Sequence, residues 1–309
     1  MVVKSRKRFL RDVGGTAGGA ALGQAALMLS APIVALLYSP ENLGVLGVVS
    51  AGAVPVSILF AWRLDVGLPA ISTPQLYERT TTHLASVSRS LTLSSGIIGV
   101  ATLAFLATSD TISTSTAAMA TFIPLAAASL IDFDTTNFAA VRHQAFKPLA
   151  VASAILGISQ AVLLVGIGLV AAGVLGPLLS FVIARFLSAR YLRMQPEIAL
   201  GAIGQSSRPQ FGSIYTSHRP YVRMVTPSLF LANLMVTLPT LVVGWTLGLE
   251  AAGIYFLVRR VIVSPSKLIS GAVAKVAYGN VGNSREPAIV RRMLATASVL
   301  TVPSALLIV

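Results

Sequence analysis

The chain contains no cysteine, which excludes disulfides, thiolate metal sites and cysteine nucleophiles within it. Charge is scarce too: 11% of the 309 residues are Asp, Glu, Lys or Arg, and only 10 of those are acidic. A soluble domain carries about 25% charged residues, so a water-soluble fold of this sequence would lack a surface. The 3 histidines, His83, His143 and His218, are isolated and show no His-Glu-x-x-His spacing. Phosphate-loop and dinucleotide fingerprints are missing, because the glycine-rich stretches lie inside apolar runs and not at strand-to-helix turns. No metal, no cofactor and no catalytic residue is therefore expected, and the chain does not read as an enzyme.

What is abundant is apolar length. Hydrophobic residues make up 55% of the chain and the mean hydropathy is +0.81. Crossing a bilayer takes about 20 apolar residues per helix, and the windows between breakers give about nine such runs. They extend from Gly14 to Tyr38, Leu43 to Leu64, Ala85 to Ala107, Ala117 to Val141, Leu149 to Val170, Val174 to Leu192, Val222 to Leu247, Ala252 to Tyr278, and Ile289 to Val309. None alternates with the period of a barrel strand. The expected fold is all-α, a polytopic transmembrane helix bundle.

The net charge of +13 reads as topology, not as a nucleic-acid partner. Loops assigned by hydropathy alone alternate in positive charge. Ser39 to Asn42, the stretch around Asp110, Ala171 to Gly173 and Leu249 to Ala251 hold no Lys or Arg. The intervening loops hold Arg63, Arg79 and Arg89, then Arg142 and Lys147, then Arg190, Arg193, Arg208, Arg219 and Arg223, and last Arg285, Arg291 and Arg292. Basic loops mark the cytoplasmic side, so the N-terminus is expected there. Lys4, Arg6, Lys7, Arg8 and Arg11 before the first run also suit a cleaved signal, but no soluble domain follows them.

Met194 to His218 is polar and rich in Gly, Ser, Pro and Gln, the composition of a linker. A weak repeat flanks it. Glu41-Asn42-Leu43-Gly44-Val45 follows the first run and Glu250-Ala251-Ala252-Gly253-Ile254 follows the seventh, with Pro32 and Pro239 before them and Pro55 and Pro265 after. The implied organisation is a six-helix lobe over residues 1–193, a cytoplasmic linker over 194–218, and a partial second lobe of about three helices over 219–309, related as parallel repeats. Val309 ends within an apolar run, so the second lobe reads as incomplete.

Several segments resemble one family in order and spacing. They are Leu37-Tyr38-Ser39-Pro40-Glu41-Asn42-Leu43-Gly44, Arg63-Leu64-Asp65-Val66-Gly67-Leu68-Pro69, and Arg142-His143-Gln144-Ala145-Phe146-Lys147. Further on come Tyr221-Val222-Arg223 with Pro227-Ser228, Leu247-Gly248 through Tyr255, and Arg259-Arg260 with Pro265 and Leu268 to Ala272. Together they are similar to polysaccharide (O-antigen, Wzx-type) flippases of the multidrug/oligosaccharidyl-lipid/polysaccharide exporter group. The resemblance implies two lobes around a cationic cavity in the bacterial inner membrane. It also implies an undecaprenyl-pyrophosphate-linked oligosaccharide as substrate, carried by alternating access, with the lipid bilayer and other polysaccharide assembly proteins as partners.

Such a headgroup must cross a layer that penalises charge, and fixed cations in a wet cavity are the remedy. Arg259 and Arg260 lie deep in the eighth run, about 100° apart on a helix, so one at most is expected to aim squarely at a cavity. Arg185 and Lys267 would extend a basic path, with Lys275 at the interface. Asp132 and Asp134, two residues apart, read as ion-pair or coupling residues, with a metal-binding Asp-x-Asp as a weaker alternative. Arg63 and Asp65, at the close of the second run, read as snorkelling to the interface, with an ion-pair or coupling role alongside Asp132 and Asp134 as the alternative. Gly15, Gly19 and Gly23, spaced by four, suit close helix packing. The alternatives are a cation exporter, which calls for an acidic cavity, and a membrane sugar transferase or ligase, which calls for a sizeable outer loop. Here the outer turns hold only Glu41, Asp110 and Glu250 as charges.

Overall fold

The computed structural model describes residues 2–108, 113–198 and 211–283, and all of its regular elements are helical. In chain order they are α1 (Val2–Leu37), α2 (Pro40–Ala61), α3 (Leu64–Gly67), α4 (Pro74–Thr108), α5 (Thr114–Arg142), α6 (Phe146–Val170), α7 (Leu175–Arg193), α8 (Phe211–Ser217), α9 (Arg219–Thr246) and α10 (Gly248–Asn283). Local signals set several boundaries. Ser39 caps α2 by accepting the Asn42 N–H at 3.3 Å, with Pro40 in the first turn, and Ser113 caps α5 through Thr116 at 3.2 Å. At the far end of α2, Trp62 and Arg63 both take the left-handed conformation, which turns the chain into α3 and a single 3₁₀ turn, Leu68–Ala70.

Seven helices among the described residues are long and apolar enough to cross a membrane: all or most of α1, α2, α4, α5, α6, α7 and α9. The protein is a multi-pass membrane protein. The eighth expected span is helical within α10, but that helix carries Arg259, Arg260, Lys267 and Lys275 and is not among the seven. The ninth, from Ile289 to Val309, lies outside the described residues, as does 199–210 of the expected linker. The third span starts at Pro74 and not at Ala85, so Arg79, His83 and Arg89 stand on α4 instead of in a loop.

The bundle is greasy outside, and its apolar core also holds buried hydroxyl groups. On α4, Leu93, Ile97, Val100 and Leu103 form an exposed stripe, with Ile97 72% exposed, while Thr80, Thr81, Ser88 and Ser95 are buried. Lipid takes the place of water around such a fold, and buried hydroxyls bond to helix carbonyls. Ser88 donates to Ala128 O at 3.1 Å and Ser95 to Thr121 O at 2.8 Å, both across to α5.

α1 runs along α6, α6 along α7, α7 along α5, and α5 along α2, with α4 outside on α5. Gly19 and Gly23 let α1 approach the α6 backbone at Ala150, Ser153 and Gly157, whereas Gly15 faces open space. The α9–α10 hairpin closes this set from the other side. α10 packs on α2 and α1, and α9 on α2. The two repeated turns meet face to face: a β-carbon on Gly44 would collide with the Leu249 carbonyl, and one on Gly253 with the Pro40 carbonyl. The contact is reciprocal between the α1–α2 and α9–α10 hairpins.

The two ends of the bundle differ. At one end the base-free turns gather, with Asn42 Nδ2 on Ala172 O at 3.3 Å and Ser115 Oγ on Glu41 Oε1 at 3.2 Å. At the other lie Arg63, Arg142, Arg193 and Lys275.

Candidate functional site: an arginine-lined cavity

Between the two hairpins, at mid-depth, lies a cavity of about 410 Å³. The first lobe contributes Leu27 from α1, Gly47, Ser50, Ala51 and Val54 from α2, Leu130 from α5, Gln160 from α6, and Phe181 and Arg185 from α7. The second hairpin contributes Asn233, Val236, Thr237 and Thr240 from α9, and Phe256, Arg259 and Arg260 from α10. The charged residues in this lining are three arginines, with no carboxylate among them.

Each arginine is held by something weaker than a carboxylate. Arg259 Nη1 donates to Thr240 Oγ1 at 3.1 Å. Arg185 Nη1 donates to the Phe181 carbonyl of its own helix at 2.8 Å, its guanidinium lies 3.5 Å over the Phe181 ring, and its Nε is buried with no acceptor. Arg260 stands 6.0 Å from the Phe256 ring centroid. Each guanidinium has five N–H donors in a planar fork suited to phosphate or carboxylate oxygens. Cation–π contacts hold such groups while leaving most of those donors available.

Both Arg259 and Arg260 line the cavity, although adjacent helix positions diverge. α10 stands at the cavity edge between α9 and α2, and the long side chains reach in from either flank, Arg259 along α9. The repeat explains the lining further. Taking Gly44 as the counterpart of Gly253 makes Gly47, Ser50 and Ala51 the counterparts of Phe256, Arg259 and Arg260, and all six line the cavity. A small-residue wall on α2 thus faces a cationic and aromatic wall on α10.

The remaining charged residues singled out in the sequence lie elsewhere. Asp134 Oδ2 accepts from Arg63 Nη1 at 2.8 Å, Asp65 Oδ2 is 3.3 Å from the same nitrogen, and Asp132 pairs with Arg193. Snorkelling does not describe Arg63 and Asp65. Asp65 is only 2% exposed, because the left-handed turn at Trp62 and Arg63 folds the chain inward against α5 instead of outward to the interface. Lys275 is half-buried, with Nζ on Asn137 Oδ1 at 3.2 Å. Lys267 sits on α10, and its side chain lies outside the described residues. The polar residues Ser50, Gln160, Asn233, Thr237 and Thr240 carry no distinguishing spacing, and only the fold brings them together.

No protein-family pattern, curated protein or solved structure matches the chain.

Proposed function

We propose that this protein flips a lipid-linked oligosaccharide, of the undecaprenyl-pyrophosphate type, across the bacterial inner membrane, with its N-terminus and basic end in the cytoplasm. The observation that carries the reading is the cavity between the two hairpins, where Arg185, Arg259 and Arg260 face one space and no carboxylate lines it. A diphosphate supplies the acceptor oxygens those guanidinium groups lack, through charge-assisted bonds in a site of low dielectric. Ser50, Gln160, Asn233, Thr237 and Thr240 are the neutral donors and acceptors that sugar hydroxyls require. Parallel hairpins meeting through glycine are the arrangement in which one half rocks against the other around a site at mid-depth. The resemblance of the turn and corner segments to the polysaccharide flippases supports the same reading.

A cation exporter needs carboxylates in its cavity, and the lining offers arginines. A sugar transferase or ligase calls for a sizeable outer loop with catalytic groups, and the outer turns here hold only Glu41, Asp110 and Glu250 as charges.

The test is reconstitution of the protein in liposomes with a fluorescent polyprenyl-pyrophosphate oligosaccharide, reading its arrival in the second leaflet with a membrane-impermeant quencher. Arg259→Gln with Arg260→Gln is expected to lower the flipping rate at least about tenfold, the scale of lost charge-assisted contacts, at unchanged protein abundance. Undiminished flipping by a folded variant overturns the proposal.

A further inference from the structure

The corner between α2 and α4 fastens the second hairpin at the basic end, and it holds a charge arrangement that the cavity does not use. Trp62 and Arg63 sit side by side in the left-handed region, with φ of 50° and 52°. Their carbonyls are the acceptors that grip α9: Thr226 Oγ1 donates to Trp62 O at 2.6 Å, and the Tyr221 hydroxyl donates to Arg63 O at 2.9 Å. Tyr221 also lies against Gly67 of the same corner.

The side chains behind those carbonyls are out of balance. Arg63 Nη1 donates to Asp134 at 2.8 Å and stands 3.3 Å from Asp65. Arg63 Nε has no acceptor, and besides Arg63 the buried Asp65 carboxyl meets only the backbone N–H groups of Val66 and of Asp65 itself, with no side-chain hydrogen bond. One guanidinium serves two carboxyl groups, one through a direct bond and one only by proximity. A buried carboxyl that accepts no side-chain hydrogen bond and has a second carboxylate nearby is shifted toward its neutral form.

Other charged and titratable groups stand around the Asp65–Arg63–Asp134 set, and Arg185 on α7 and Lys275 on α10 both act on Asp134. On α5, Arg142 is bonded to the Leu68 and Ile71 carbonyls and lies over the Tyr77 ring. On α9, Tyr221 is committed to the Arg63 carbonyl, and on α10 Lys275 is bonded to Asn137 and Tyr278 acts on Tyr221. On α4, His83 stacks near the Trp62 ring at 5.8 Å. Burial pushes the Asp65 carboxyl up to about 6, against the pull of Arg63 and with the push of Asp134.

We propose that Asp65 is a proton-binding site that works the clamp between the two hairpins. With the proton on Asp65, Arg63 belongs to Asp134 and the corner carbonyls hold Tyr221 and Thr226, as seen here. When the Asp65 O–H bond breaks and the proton leaves to water, the bare carboxylate draws the guanidinium toward itself. The guanidinium stays charged throughout and shifts its N–H donors from Asp134 to Asp65. Because Arg63 carries one of the two gripping carbonyls, its movement redirects that carbonyl and releases α9. The clamp is closed in acid and opens as the pH rises, whatever the cavity carries.

The chain's two tryptophans make this measurable, since Trp245 is fully outside the clamp at 90% exposure and Trp62 is part of it. In Trp245→Phe protein, Trp62 emission is followed from about pH 4 to pH 8. His83→Gln and His218→Gln are added because imidazoles titrate in the same range. The expected result is one transition near 6 that survives both histidine changes and disappears in Asp65→Asn, whose emission stays at the acid value throughout. Asp134→Asn removes the like charge and leaves only a weaker, neutral rival acceptor, so the transition moves down by about one unit, and this variant decides the matter alone if Asp65→Asn does not fold. A transition absent from the parent, persisting without Asp65, lost with the histidines, or unmoved by Asp134→Asn overturns the proposal.

Discussion

The arginines of this bundle fall into two sets, those of the corner and those of the cavity. Arg63 and Arg193 stand against Asp134 and Asp132, while Arg185, Arg259 and Arg260 stand around open space and lean on a carbonyl, a hydroxyl or a ring. The residue type is the same, and every one of these arginines lies next to apolar sequence. The difference lies in what the fold brings opposite. A guanidinium removed from water is expensive unless its charge and donors are met. A paired arginine therefore belongs to the protein's own architecture, and an arginine facing a cavity without a carboxylate beside it is the kind that the proposed function assigns to an incoming anion.

That contrast can be broken in several ways. The largest effect is expected where the hairpins touch. Gly253→Leu forces a side chain into the Pro40 carbonyl, in a backbone contact with no room to relax, so folded protein should be lost in detergent. A well-folded variant would show that the cavity does not depend on the Gly44–Gly253 contact. Next comes the corner. Asp134→Ala leaves Arg63 without its direct partner, and since the two side chains are only 22% and 27% exposed, the loss should reach about 3 kcal/mol, the low end for a broken buried pair. Thermal unfolding of the purified variant checks it.

The cavity should behave in the opposite sense. Arg260→Gln removes a charge that has no carboxylate partner among the described residues, so stability should be unchanged or rise by up to about 1 kcal/mol while transport falls. Destabilisation comparable to that of Asp134→Ala would place Arg260 in the architecture as well.

The smallest expected effect is on pH dependence. The folded Asp65 carboxyl is raised from 3.8 to about 6, so it binds its proton more tightly than in the unfolded chain. Its contribution to stability is full below about pH 4 and is lost as the pH rises through 6. Subtracting the stability–pH curve of Asp65→Asn from that of the parent should leave this downward slope, and a difference that rises over the same interval would contradict it.

Much of this was legible before folding. The apolar runs match α1, α2, α5, α6, α7 and α9 closely, because a bilayer imposes length and hydropathy on each span separately. Arg185, Arg259 and Arg260 stood out because charge within an apolar run is rare. The start of α4 was misjudged, since its first turns carry Arg79, His83 and Arg89 and read as a loop although they continue the helix. At the corner, an ion-pair role for Arg63 and Asp65 was open to the sequence, but whether Arg63 reaches the interface or turns inward depends on Asp134, far along the chain on α5. The neutral cavity residues were invisible. Threonines and serines are common in membrane helices and usually bond back to their own helix, as Thr237 does to Asn233 O at 3.0 Å.

By itself, the sequence determined that this is a helical membrane protein with a repeated glycine-bearing turn and with cations buried in apolar segments, because hydropathy and spacing are properties of each segment alone. The tertiary structure decided which cations meet carboxylates, which share a cavity, and that the two glycine turns lie against each other. Those are outcomes of helices distant in sequence meeting in space, where a single opposite side chain decides whether a buried charge finds a carboxylate.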